Sequence, residues 1–114
     1  MQRDVRALLM DMDESASAIQ AYTATLTREE YESAQIVQDA VEHRFMIIGE
    51  ALNRVLDLDP GLEGCISHTR EIIGLRNRIV HAYAMIESDT LWTIIQRYLT
   101  PLRQELSLLL AEPE

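Results

Sequence analysis

The chain has 114 residues, 47% of them hydrophobic, one cysteine and a formal net charge of −9. One thiol excludes an internal disulfide and a cysteine-based zinc cluster. All ten basic residues are arginine, which excludes Schiff-base or amine-nucleophile chemistry on a lysine.

The first predicted helix runs from about Arg3 to Thr25, where Val5, Leu8, Leu9, Met12, Ala16 and Ile19 recur at helical spacing. Thr27 opens T-R-E-E, a capping box with Glu30, and a short helix through about Ser33 follows. The third helix is expected over roughly Ala34 to Leu56. Val37, Val41, Phe45, Ile48, Leu52 and Val55 form one apolar stripe, and Ile36, Ala40, Ile47 and Ala51 a second beside it. That arc is wider than one packing partner needs and predicts burial on two sides, in a bundle or across a dimer. Gly49 removes a side chain mid-helix, which predicts close approach of another helix there.

The segment D-P-G-L-E-G, Asp59 to Gly64, reads as a loop. A helix resumes near Ser67 or His68, with His68 as a solvated cap residue. A last helix spans about Asp89 to Leu110, and Pro101 is expected to kink it or split it in two. With four Gly, three Pro and almost no β-branched alternation, the sequence predicts one all-α domain over residues 1–114. The opening M-Q-R-D-V-R lacks the apolar run of a signal peptide, no stretch is apolar enough to span a bilayer, and the lone Cys65 suits a reduced compartment. A cytoplasmic protein with no membrane association is the expectation.

The densest chemistry lies in L-R-N-R-I-V-H-A-Y, residues 75–83. Arg76 offers a fixed charge in a fork that fits phosphate oxygens, and His81 exchanges a proton near neutral pH. The acidic total is a poor footprint for non-specific nucleic-acid binding. The charge is uneven, however: thirteen of nineteen acids fall in residues 1–63, whereas residues 66–83 hold Arg70, Arg76 and Arg78 against Glu71 alone. A local phosphate site fits this better than a long groove. On an ideal helix Ile72, Leu75, Ile79, Ala82 and Ile86 form the core stripe, and Arg76 shares a flank with Tyr83. Asn77 lies one turn before His81, so it can orient the imidazole. Arg76 and His81 stand about 140° apart. Either the helix breaks between them or two copies meet across a symmetric dimer, and the dimer accounts better for the broad arc of the third helix.

The same chemistry has plainer alternatives. Arg76 can simply pair with a surface acid, and Asp39, Glu42 and His43 read as surface ion-pair residues rather than a metal site.

The run R-E-I-I-G-L-R-N-R-I-V-H-A-Y resembles the signature of the HEPN superfamily, in particular its HepT-like branch. Residues 40–51, A-V-E-H-R-F-M-I-I-G-E-A, and L-W-T-I-I with Y-L-T-P-L further on, resemble its other helices in the expected order. The resemblance implies an antiparallel helical bundle of four main helices plus a short extra one, acting as a homodimer. It implies a metal-independent endoribonuclease toxin, needing no cofactor, with Arg76 and His81 of both subunits in one cleft and Asn77 in support. It also implies a minimal nucleotidyltransferase antitoxin as partner, with Tyr83 as an acceptor of AMP. Thr69 and Glu87 stand where many relatives carry Trp and Asp. The rival expectation is a non-catalytic helical module that dimerises and docks the nucleotidyltransferase.

Overall fold

The repeat of apolar residues every three or four positions sets which face of each helix is buried. In the computed structural model, which describes residues 1–81 and 86–113, the order is α1 (Arg3–Thr23), α2 (Arg28–Glu32), α3 (Gln35–Leu58), a 3₁₀ segment (Pro60–Cys65), α4 (Thr69–His81) and α5 (Ser88–Leu110). Among the described residues there is no strand, and the fold is all-α as the sequence predicts. The predicted stripe of α1 is the buried one: Val5, Leu8, Leu9, Met12, Ala16 and Ile19. On α3 the first stripe is buried from Val41 to Val55, whereas Ile36 at the helix start is 85% exposed.

α3 is the central element. It packs on α1 along one side and on α4 along another; α5 lies along α1, and α2 bridges α3 and α5. The wide arc of α3 is thus used largely within the chain. α2 forms where the capping box predicts it. The Glu30 N–H donates to Thr27 Oγ1 at 3.1 Å, and the Thr27 N–H donates to Glu30 Oε1 at 2.9 Å. Its Tyr31 ring is buried against Trp92 of α5, 5.4 Å between centroids.

Three local expectations are corrected. Asp59–Gly64 is not an open loop: Pro60, whose missing N–H is unneeded at a helix start, begins the 3₁₀ segment. Of the two outcomes expected at Pro101, the split does not occur, because buried Leu99 and Leu102 on either side of it dock both halves on the same core. His68 is not merely solvated. It takes a left-handed backbone (φ 62°) and stacks on Tyr98 of α5, 4.4 Å between centroids and 10° between planes. Just before it, the Ser67 N–H and hydroxyl both donate to the Glu105 carboxylate. These contacts tie the entry of α4 to α5. The molecule is 19 Å across its thinnest direction, about two helix diameters. No helix among the described residues is long and apolar enough to cross a membrane.

Candidate functional site

α4 is amphipathic, with Ile72 and Leu75 buried against the core and Ile79 half-buried. It meets α3 at Gly49, where an added Cβ would overlap the Arg76 Cβ and lie 3.2 Å from the Ile72 carbonyl oxygen. The close approach predicted for Gly49 is therefore specifically the seat of Arg76.

That seat fixes the arginine. Its side chain is only 22% exposed. Nη1 donates to Asn77 Oδ1 at 3.0 Å, and Nη2 lies 3.5 Å from Oε2 of Glu50, itself 56% exposed. Nε–H is buried with no acceptor among the described residues. The guanidinium is thus restrained by two acceptors, one of them long, and keeps further N–H groups for an anion. Sequence reasoning does not pair Glu50 with Arg76. Its pairing with Arg76 spans 26 positions, and its one signal was that Glu50 immediately follows the glycine that seats the arginine.

α4 continues as a helix from Arg76 through His81. The alternative in which the helix breaks between them is thereby removed. On one unbroken helix the two diverge by about 140° and are offset by about 7.5 Å along the axis. His81 is exposed. The structure brings Asn77 to Arg76. Tyr83 and Ala82 lie outside the described residues.

Near the start of α3, Asp39 Oδ1 accepts from Gln35 Nε2 at 2.8 Å. Burial, and secondarily the Asp39 charge, holds the Glu42 carboxyl above its ordinary value. Burial likewise pushes the Tyr31 phenol up, with Glu42 adding to it, and the Tyr31 hydroxyl has no partner among the described residues. Among the described residues no group of three His, Cys, Asp or Glu is placed to hold a metal ion. A hollow of about 1000 Å³ between α1 and α5 is lined by Asp13, Gln20, Thr100, Arg103 and Leu108 among others, and by no described residue of α4.

Residues 12–109 match the family model described as Ribonuclease HepT-like. The chain is 30% identical over 106 residues to a Methanocaldococcus jannaschii protein named "Putative RNase MJ1380", covering 93% of this chain and 96% of that one. A second protein of that organism, "Putative RNase MJ1216", is 23% identical over 114 residues, covering 98% and 92%. A third, "Gamma-glutamylcyclotransferase and putative RNase MJ0434", is 25% identical over 114 residues, and the match spans 50% of its length. No solved structure matches significantly. With the family match covering α4 and every helix packed around it, the chain belongs to the HepT-like ribonuclease family.

Proposed function

We propose that the protein is a metal-independent endoribonuclease that acts as the toxin of a toxin–antitoxin pair, at a site shared by the two subunits of a homodimer. The observation that carries this reading is the arrangement on α4: a seated, partly shielded Arg76 and an exposed His81 on one unbroken helix of a family of ribonucleases. Because one helix aims the two side chains apart, a second copy related by a two-fold axis supplies the missing half. The slab is only 19 Å thick, and Val80, on the Arg76 side of α4, is 43% exposed; both favour burial against another copy.

In this mechanism a ribose 2′-hydroxyl attacks the adjacent phosphorus, and the bond to the leaving 5′-oxygen breaks. One His81 accepts the 2′-proton, and the His81 of the second copy protonates the 5′-oxygen. The products are a 2′,3′-cyclic phosphate and a 5′-hydroxyl. Arg76 stabilises charge on the non-bridging oxygens, for which its phosphate-facing N–H groups exchange Glu50 for the substrate. Asn77 keeps the guanidinium in place and shares the face of His81. The nucleophile requires RNA. A nucleotidyltransferase antitoxin that transfers AMP to Tyr83 would silence the site, since added phosphates place negative charge where RNA must lie.

The test is RNA cleavage by wild type and His81→Ala in EDTA. The variant is expected to fold normally and lose about 10²–10⁴ in rate, and cleavage unchanged by that substitution, or abolished by EDTA, contradicts the reading. The net charge of −9 and the Arg76–Glu50 pair favour the rival, a non-catalytic module that dimerises and docks a nucleotidyltransferase. Persistent absence of cleavage by the wild type decides for it.

A further inference from the structure

α4 contains a glycine that no contact among the described residues explains. Gly74 is mid-helix, where glycine destabilises relative to alanine. At Gly49 the reason is visible, because Arg76 fills the space a Cβ would take. At Gly74 an added Cβ meets nothing within 4 Å. Nothing among the described residues calls for the missing side chain.

The neighbours of Gly74 indicate what approaches. Arg70 and Arg78 lie four residues before and after it, so on α4 the three form a row about 80° wide, and His81 falls within the same arc. From Arg70 to His81 the row is about 16 Å long. Arg70 and Arg78 are exposed, and among the described residues neither pairs with an acid. This is a cationic strip, edged by Glu71, on a chain of net charge −9. Phosphate groups are the charge complement of such a strip.

We infer that the outward face of α4, Arg70–Gly74–Arg78, is the track on which the RNA sugar–phosphate backbone approaches the helix, with Gly74 as its point of closest contact. The inference rests on the ribonuclease reading and adds where the strand runs beyond the scissile linkage. The two arginines hold flanking phosphates, and the absent side chain lets the strand settle close enough to bring one linkage to His81.

The test uses a 2′-O-methyl RNA oligomer, which lacks the nucleophile, so binding is measured apart from cleavage. Gly74→Ala is expected to melt about 4 °C higher than wild type, because the helix gains a better former. It should nevertheless bind the oligomer about tenfold more weakly. Arg70→Ala and Arg78→Ala should each lower the slope of log affinity against log salt by about 0.7. A stabilised Gly74→Ala that binds as wild type overturns the inference, and so does a destabilised one. Loss of the wild-type oligomeric state with RNA binding unchanged assigns this face to a protein partner instead. Wild type that binds the oligomer but leaves unmodified RNA intact overturns the nuclease reading and keeps the track. Wild type that cleaves while Gly74→Ala binds normally does the reverse, and failure to bind at all overturns both.

Discussion

Arg76 is held by two residues of different kinds, and each makes a separable prediction. Gly49 gives it room. Gly49→Ala forces a methyl group into the Arg76 Cβ and is expected to cost about 1–3 kcal/mol in chemical denaturation. Glu50 meets the guanidinium across the helix interface at 3.5 Å, a half-exposed contact that an incoming phosphate would displace in the proposed mechanism. Glu50→Ala should leave stability within about 1 kcal/mol of wild type while lowering kcat, and Glu50→Gln, which keeps an acceptor, should restore much of it. Equal losses in both variants would show that charge rather than aim matters. Glu42 gives a pH signature. Its folded carboxyl lies above the ordinary value, chiefly through burial, so the native state binds more protons than the unfolded one across that window. Stability from this group is therefore present at low pH and lost as pH rises from the ordinary carboxylate range through the raised value. Glu42→Gln is expected to raise the melting temperature at pH 7 and to flatten its decline above pH 4–5; an unchanged pH profile would contradict this. The sequence already marked Gly49 as a packing glycine, because glycine mid-helix needs a reason. It could not name Glu50 as the partner of Arg76, since the pair is made by tertiary packing.

At the level of elements, periodicity carried most of the fold. The stripe of α1 and the first stripe of α3 from Val41 onward are the buried ones, and the T-R-E-E box nucleates α2 with both of its hydrogen bonds in place. The misreadings share a cause. Pro60 and Pro101 were judged from local rules, and neighbouring buried leucines or a tight 3₁₀ geometry override those rules. The anchoring of α4 escaped sequence reasoning altogether, because Ser67–Glu105 and His68–Tyr98 join residues 38 and 30 positions apart. That anchor predicts that Glu105→Ala costs about 1.5–3 kcal/mol, the worth of hydrogen bonds to a charged group. It should also speed amide exchange in the first turn of α4 more than in α1. Uniform exchange across both helices would show that the turn does not hold α4.

For the whole molecule, the decisive fact is directional. An unbroken α4 points Arg76 toward α3 and His81 outward, so a single copy does not assemble the chemistry proposed for it. The motif was legible in the sequence, as was the 140° divergence. Of the two routes the sequence left open, a broken helix or a second subunit, the continuous helix removes the first, and the second is the proposal. In the proposed mechanism, catalysis depends on two imidazoles meeting across a two-fold axis, one as base and one as acid. The most direct test is the RNA cleavage rate, in EDTA, of a covalently tethered dimer with His81→Ala in one subunit only. A shared site predicts a loss of about 10²–10⁴, close to that of the doubly substituted dimer. Retention of half the wild-type rate would mean two independent sites and would contradict the account.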